Sequence, residues 1–221
     1  MNLQIMTNIS KNIVFQNNFF IALDKPHNYL TTPSRMGEAD LRPCLGLELQ
    51  ALLGQQIFPV HRLDFEVSGL TLFALQPRAH ALANGWFEKR LVVKTYQAIT
   101  EGTVPKGPFP MIWKNKLVRG KKRSFEAPHG QLATTEAFLA RGSTTNTLKW
   151  QLHPLTGKPH QLRVHLSMNG FPIWGDKLYG SQVENPSTGI ALRSVQLNFK
   201  NCHEREEFEL GEEIVVPPLF F

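Results

Sequence analysis

Apolar residues fall along the chain in short continuous runs that alternate with longer, helix-like patterns. The run FFIAL at 19–23, closed by Asp24-Lys25-Pro26, predicts a buried strand that enters a loop. The run LTLFAL at 70–75 predicts a second buried strand, and KTYQAI at 94–99 alternates as a half-buried strand does. Further strands are predicted at 133–140, 147–152 and 192–199.

Three helices are predicted between these strands. Leucines near helical spacing predict a helix over 39–53 with one buried stripe. Pro77 suits the first turn of a second helix that runs to about Arg90, and a third is predicted from His160 to Asn169. The stripe of the first helix consists of Leu41, Leu45, Leu47, Leu49, Leu52 and Leu53.

Composition indicates one folded domain or two small ones packed together. With 221 residues, 42% hydrophobic residues and 15 Phe, the chain can bury a sizeable core, which excludes disordered and collagen-like classes. Two cysteines, Cys44 and Cys202, are too few for a disulfide framework and favour a reducing compartment. Since no apolar run approaches the roughly 20 residues that span a bilayer, and no leader pattern is found, we predict a soluble cytoplasmic protein.

Charge is distributed unevenly along the chain. The formal net charge is +6, but residues 200–221 hold six acidic residues against two basic ones. The preceding 199 residues carry 22 basic and 12 acidic residues, a net charge of +10. A basic body is typical of proteins that bind a polyanion, although many basic proteins bind none.

The first candidate for chemistry is the segment His61-Arg62-Leu63-Asp64, on a loop ahead of the strand at 70–75. A rigid scaffold can hold such an aspartate so that its carboxylate faces a cleft. The alternative is an ordinary surface ion pair between Arg62 and Asp64, which would contribute little.

The second candidate is TGKPHQLRVH at 156–165, which begins in turn residues and continues into the third predicted helix. Arg163 can pair with a distant carboxylate through two parallel hydrogen bonds and keep it ionised. The alternatives are a helix with solvated basic residues, or a zinc site formed by His61, His160 and His165. Because His160 and His165 lie on different sides of a helix, we predict no metal.

Two further features are compatible with nucleic-acid binding. Tyr96 is most simply a half-buried packing residue of its strand, but its ring can also stack on a base. Residues 102–130 are rich in Gly, Pro, Lys and Arg and predict a surface hairpin whose cations can contact phosphates. Its basic residues within ten positions are Lys114, Lys116, Arg119, Lys121, Lys122 and Arg123.

Five segments follow one another in an order that resembles a known family. They are HRLDFEVSGLTLFAL (61–75), KTYQAI (94–99), ATTEAFL (133–139), PLTGKPHQLRVHL (154–166) and GFPIWGDKLYG (170–180). Together they cover most of residues 19–199 and resemble the motifs of the RluA-type RNA pseudouridine synthases. The resemblance implies an α+β fold with a mixed, mainly antiparallel sheet, flanking helices and a central cleft.

The resemblance also implies an activity and its residues. The enzyme would isomerise uridine in RNA to pseudouridine by detaching uracil from ribose and rejoining it through carbon 5, with no metal or organic cofactor. Asp64, Tyr96 and Arg163 would be catalytic: Asp64 as nucleophile or base, Tyr96 stacked against the uracil, and Arg163 paired with Asp64. Arg62 would occupy the place of the flipped nucleotide. The predicted RNA-binding residues are His61, Arg62, Lys94, His160, Lys116, Lys121, Lys122 and Arg123.

The sequence departs from the family pattern in three places. Val67 stands where the family usually has Thr, Arg193-Ser194 replace a common His-Ala, and Asp24-Lys25-Pro26-His27-Asn28 replaces N-K-P-x-G. These departures bear on packing or RNA contact. They therefore affect the prediction of the RNA target more than the prediction of the activity.

The organisation predicted is one catalytic domain over 1–221 with a core at about 13–200. Since the first strand is expected near residue 13, no separate N-terminal RNA-binding domain is predicted. We therefore expect a monomer that modifies a uridine in ribosomal or transfer RNA, selected through a local stem-loop. The alternatives are a catalytically inert RNA-binding protein with the same fold, and a hydrolase, for which Asp64 lacks a partner carboxylate other than Glu66.

Overall fold

The computed structural model of the chain describes residues 9–144 and 146–220 and divides into two compact units. Unit 1 contains the described residues up to Val93 together with Gln196–Pro217. Unit 2 contains Lys94–Val195 together with the described residues from Pro218 onward. The prediction of a single catalytic domain stays a prediction.

The described residues form strands more often than helices. The strands are β1 (Ile13–Gln16), β2 (Phe20–Lys25), β3 (Phe58–Pro59), β4 (Ser68–Ala74), β5 (Val93–Thr100), β6 (Met111–Arg119), β7 (Ser124–Glu126), β8 (Gln131–Leu139), β9 (Leu148–Pro154), β10 (Leu192–Asn198) and β11 (Glu213–Val215). The helices are α1 (Leu45–Leu53), α2 (Pro77–Glu88) and α3 (Gln161–Met168), with 3₁₀ turns at Gly37–Ala39, Lys177–Tyr179 and Glu206–Phe208.

Unit 1 is built on buried antiparallel strands with apolar clusters on both faces. β2 pairs with β1 and β4, β3 pairs with β4, and β11 pairs with the end of β10. Successive side chains of β2 point to opposite faces, so Phe20 and Ala22 join the cluster that contains α2. Ile21 and Leu23 join the cluster that contains α1. Burial of both faces explains why the sequence of β2 is a continuous apolar run.

The first predicted helix is shorter than the leucine spacing suggested. It begins at Leu45 rather than at residue 39, and Leu41 and Leu47 of the expected buried stripe are 94% and 54% exposed. Pro43 explains the late start, because the residue before a proline is disfavoured in helical conformation. Cys44, which follows Pro43, is extended and forms a parallel bridge with Leu30.

Unit 2 is an antiparallel arrangement of five strands in the order β5-β9-β8-β6-β7. Helix α3 packs against β6, β7, β8 and β9. Trp150 of β9 is fully buried and donates from Nε1 to Thr100 Oγ1 at 2.9 Å. The predicted surface hairpin is the pair β6 and β7, whose connecting residues 120–123 are mostly exposed.

The predicted α+β class with mainly antiparallel strands is confirmed. The acidic segment after residue 200 is folded into unit 1, where the Asn17 amide donates to the carbonyls of Phe208 and Glu209. Within residues 9–144 and 146–220, none of the helices has the length and apolar character required to cross a bilayer.

Candidate active site

The loop between β3 and β4 carries the HRLD segment and belongs to unit 1. The Asp64 carbonyl accepts a hydrogen bond from Val67 N at 3.2 Å, which closes a turn just before β4. Leu63 is held on both sides of its backbone by one hydroxyl: Leu63 N donates to Thr31 Oγ1 at 3.1 Å, and Thr31 Oγ1 donates to Leu63 O at 3.2 Å. Thr31 is buried, so the backbone next to Asp64 is held by a contact inside the fold.

His61 anchors the start of this loop. Its Nε2 accepts a hydrogen bond from Leu72 N of β4 at 3.2 Å, so this nitrogen carries no proton. Its ring stacks on Phe87 of α2 with centroids 5.0 Å apart. These contacts assign His61 a scaffold role, and its predicted RNA contact stays a prediction. Arg62, the next residue, is exposed, while Asp64 is half-buried.

A buried lysine lies beside the Asp64 loop. Lys25 at the end of β2 has no exposed surface, and its ammonium donates to the carbonyls of Pro26, Tyr29 and Phe65 at 3.0, 2.8 and 3.3 Å. Burial lowers the pKa of Lys25 to about 7, although the nearby carboxylates of Asp64 and Glu66 act in the opposite direction. Lys25 therefore ties the start of the following loop to the residue after Asp64.

The loop after β2 also contacts the Asp64 loop through an aromatic side chain. The Arg42 guanidinium lies 5.1 Å from the centroid of the Phe65 ring, within the range of a cation–π contact. The plane of the guanidinium is fixed by Asp40, whose carboxylate accepts from Arg42 Nε at 2.8 Å and from Arg42 Nη2 at 2.6 Å. Two basic side chains, Arg42 and Arg62, thus flank the turn that contains Asp64.

In unit 2, Gln161 fixes the beginning of α3. Its Oε1 accepts from Thr156 Oγ1 at 2.7 Å and from Lys158 N at 3.1 Å. Its Nε2 donates to Thr134 O at 2.9 Å and to Thr135 Oγ1 at 3.0 Å. A side-chain amide has two donors and one carbonyl oxygen, so these four bonds fix the turn, the helix and β8 together.

Arg163 is buried in α3 and faces a carboxylate of its own unit. Its Nε donates to Asp176 Oδ2 at 2.7 Å and its Nη2 to Asp176 Oδ1 at 2.8 Å, with only 2% and 1% of the two side chains exposed. Its Cζ also lies 5.1 Å from the centroid of the Tyr179 ring. The pairing of Arg163 with Asp64 that the resemblance implies stays a prediction.

His160 precedes α3 in a left-handed conformation, with φ at 54°. Arg119 Nη1 donates to His160 Nε2 at 2.8 Å, so the proton of the neutral ring lies on Nδ1, which is 2.9 Å from the Tyr179 hydroxyl. The same hydroxyl accepts from Ser124 N at 2.8 Å. His160 and Tyr179 thereby connect the β6–β7 hairpin to α3.

His165, the last histidine of the motif, lies in the core of unit 2. Its Nδ1 is 2.9 Å from Thr135 Oγ1, and burial lowers the pKa of His165 to about 4, so the ring is neutral at pH 7. Across the described parts of the chain, no three His, Cys, Asp or Glu side chains are grouped as metal ligands are. His165 is a packing residue of this core.

The remaining predicted residues of unit 2 lie on strands and on the hairpin. Tyr96 is buried in β5 opposite Leu152 of β9, and Lys94 is half-buried with its ammonium near Gly157. The exposed basic side chains of the hairpin include the four that are predicted to bind RNA, which are Lys116, Lys121, Lys122 and Arg123. These four cations are accessible to a phosphate backbone, and the RNA contacts assigned to them stay predictions.

Three contributors to the site were not identified from the sequence. Lys25 and Thr31 act through backbone groups of residues far along the chain, and no local pattern indicates such partners. Asp176 was part of the GDKLYG segment, but nothing in that segment alone indicates that its carboxylate meets Arg163. A lysine directly after an apolar run was the one signal available for Lys25.

Comparison with known proteins gives a consistent match for this arrangement. The family described as RNA pseudouridylate synthase matches residues 19–168, which include both the Asp64 loop and α3. The chain is 32% identical to the "Dual-specificity RNA pseudouridine synthase RluA" of Vibrio vulnificus (strain CMCP6), over 85% of the chain and 76% of that protein.

Two further proteins extend this match over nearly the whole chain. The protein of the same name from Pasteurella multocida (strain Pm70) is 32% identical over 94% of the chain and 93% of that protein. The solved structure "Human RNA Pseudouridylate Synthase Domain Containing 4" superposes with a TM-score of 0.74 at 22% identity, over 97% of the chain and 91% of that structure. The fold of the chain is therefore similar to that of this solved domain.

Proposed function

Since the chain belongs to the RNA pseudouridylate synthase family, we propose that it converts a uridine of ribosomal or transfer RNA to pseudouridine, with Asp64 as the essential carboxylate. Members of this family are isomerases: the bond between ribose C1′ and uracil N1 breaks, and a bond between C1′ and C5 forms. The hydrogen on C5 is lost to solvent and one is gained at N1, so the reaction consumes no other substrate.

The observation that carries this proposal is the rigid mounting of the HRLD turn. The hydroxyl of Thr31 holds Leu63 on one side of Asp64, and the Lys25 ammonium holds the carbonyl of Phe65 on the other. A reacting carboxylate requires a fixed direction, because a displacement of about 1 Å can cost about 100-fold in rate. A solvated ion pair on a surface loop would not require two buried clamps.

The RNA-binding part of the proposal rests on the distribution of positive charge. Arg62 is exposed next to Asp64, so it is available to occupy the place of a flipped nucleotide and to offset part of the few kcal/mol that flipping costs. The exposed cations of the hairpin at 116–123 supply contacts to RNA phosphates, and such contacts do not distinguish one RNA sequence from another. His61, Lys94 and His160 complete the proposed set of RNA contacts.

Tyr96 and Arg163 have complementary roles in the proposed reaction. The ring of Tyr96 stacks against the detached uracil and keeps it close to the sugar, and Arg163 keeps the Asp64 carboxylate ionised and directed. Asp64 then acts as a nucleophile or as a base at the ribose. No metal or organic cofactor has a place in this scheme.

Two relatives support ribosomal and transfer RNA as the targets. One is the "Ribosomal large subunit pseudouridine synthase C" of Rickettsia typhi (strain ATCC VR-144 / Wilmington), which is 32% identical over 79% of the chain. The other is the "tRNA pseudouridine synthase C" of Vibrio parahaemolyticus serotype O3:K6 (strain RIMD 2210633), which is 28% identical over 95% of the chain. We propose that the chain acts as a monomer. We also propose that it acts in the cytoplasm, a reducing compartment that is consistent with the free thiols of Cys44 and Cys202.

The test is tritium release from RNA labelled at C5 of uracil, prepared from cells that lack this protein. The wild-type chain is compared with Asp64→Asn at matched RNA occupancy, and Glu66→Gln serves as a control that removes one negative charge from the same turn. We expect release by the wild type and by Glu66→Gln and none by Asp64→Asn. Chemical mapping of pseudouridine in the two RNA fractions then identifies the site.

The competing function is an inert RNA-binding protein with the synthase fold. It predicts normal RNA affinity without tritium release from any of the ribosomal, transfer or transcribed RNAs. That result, or release by Asp64→Asn at the wild-type rate, would refute the proposal.

A further inference from the structure

The guanidinium of Arg163 is fixed in position by groups of its own unit. Asp176 binds its Nε and Nη2 in the parallel two-bond geometry, at 2.7 and 2.8 Å. The Tyr179 ring lies 5.1 Å from Cζ. A guanidinium has five N–H donors in a fixed plane, and Asp176 uses two of them, so the direction of the other three is set by this pair.

The segment that carries Asp176 is itself rigid. Asp176 N donates to Ile173 O at 2.9 Å, and the Asp176 carbonyl accepts from Tyr179 N and Ser181 N at 3.0 and 3.1 Å. Gly175, the preceding residue, has φ at +80°, and a Cβ there would lie 2.7 Å from Gly189 O. A residue with a Cβ would be strained and would clash here, so the turn before Asp176 depends on this glycine.

Stability alone does not account for this buried pair. Taking two charges out of water costs several kcal/mol for each, and apolar residues of similar volume are often as stable or more stable in the same place. Each member nevertheless requires the other, because an unpaired buried charge is strongly destabilising. A cation retained at 2% exposure in α3, with a dedicated carboxylate, points to a role of the guanidinium beyond stability.

We propose that Asp176 is a positioning residue of the isomerase reaction: it fixes the plane of the guanidinium of Arg163, which is the catalytic cation of the proposed function. This inference rests on the proposed function, in which Arg163 pairs with Asp64. Asp176 does not contact the reacting atoms and acts only through Arg163. Tyr179 supports the same guanidinium with the face of its ring.

The experiment compares variants under single-turnover conditions with saturating enzyme, and measures the RNA dissociation constant of each separately. Asp176→Asn keeps the shape and removes the charge, and we expect the rate constant to fall by about 100-fold with the dissociation constant within twofold of the wild type. Asp176→Glu keeps the charge and displaces it by one methylene, and we expect about a tenfold loss of rate.

A double-mutant cycle with Arg163→Met distinguishes positioning from a general structural role. If Asp176 acts only through Arg163, then Asp176→Asn causes less than a twofold further loss in the Arg163→Met background. Glu184→Gln is the matched control, because Glu184 pairs with Lys177 at 3.0 Å on the exposed side of the same segment. We expect this control to react at the wild-type rate.

Each outcome decides the inference. A folded Asp176→Asn with the wild-type rate, or losses that multiply in the cycle, would overturn it. If Asp176→Asn fails to fold, a wild-type rate for Asp176→Glu overturns it equally, and a tenfold loss with unchanged RNA binding supports it. Asp64→Asn is measured in parallel as the inactive reference. An inactive wild type refutes the proposed function together with this inference. An active wild type with unaffected Asp176 variants refutes this inference alone.

Discussion

Replacement of Thr31 by valine tests whether the Asp64 turn is held by one buried hydroxyl. Valine has nearly the shape of threonine but cannot form the two bonds to Leu63 N and Leu63 O, which measure 3.1 and 3.2 Å. Both residues are buried, with 2% and 8% of their surface exposed, so water cannot replace these bonds without rearrangement. The substitution leaves one donor and one acceptor of the backbone unpaired.

The expected cost follows from these two groups. A buried polar group left without its partner costs about 1–3 kcal/mol, so we expect Thr31→Val to lower the free energy of unfolding by about 2–3 kcal/mol. Because Leu63 precedes Asp64, the carboxylate also loses part of its fixed direction. We expect the single-turnover rate to fall by about 10–100-fold, with RNA affinity unchanged.

The assays are urea unfolding, read from the midpoint at constant slope, and single-turnover pseudouridine formation below the unfolding transition. Thr31→Ser retains the hydroxyl and should retain the rate. Thr32→Val is the matched control, because it makes the same chemical change at the next residue. A loss of stability below about 0.5 kcal/mol in Thr31→Val, with the rate within twofold of the wild type, would refute the reasoning.

Three other substitutions test separate parts of the structure. The pKa of His165 is about 4 in the folded chain against an ordinary value of 6.5. Below pH 6.5 the unfolded chain therefore binds a proton that the folded chain does not, and the free energy of unfolding falls by about 3 kcal/mol as the pH drops from 6.5 to 4. His165→Gln flattens this pH dependence, which is measured by urea unfolding at each pH. Replacing Lys121 and Lys122 together by glutamine reduces the slope of log affinity against log salt by about 1.5, measured by RNA titration at several salt concentrations. Gln161→Met removes four hydrogen bonds of a buried amide and lowers the free energy of unfolding by about 3–5 kcal/mol, measured in urea.

Matched variants control these three measurements. His129→Gln alters an exposed histidine and should leave the pH dependence of stability unchanged. Lys200→Gln alters an exposed lysine of unit 1 and should leave the salt slope within error of the wild type. A steep loss of stability below pH 6.5 in His165→Gln, an unchanged slope in the double lysine variant, or a Gln161→Met protein of wild-type stability would each contradict the corresponding argument.

Local patterning determined most of the secondary structure, because strand and helix periodicity arise within a few residues. The run at β2 was predicted as buried, and the structure covers both of its faces. The third helix was predicted over 160–169 and occupies Gln161–Met168, with His160 left-handed at its start. Where the prediction of α1 was wrong, the deciding feature was also local: Pro43 delays the helix, and Leu41 lies outside it.

The sequence by itself also determined which side chains are candidates for chemistry, since Asp64 and Arg163 each stand in a motif of adjacent residues. Only the tertiary structure decided what holds them. Thr31 meets Leu63 across 32 positions, Lys25 meets Phe65 across 40, and Asp176 meets Arg163 across 13. Such contacts depend on how strands and loops pack, and a side chain carries no local mark of a partner that folding brings to it from elsewhere in the chain.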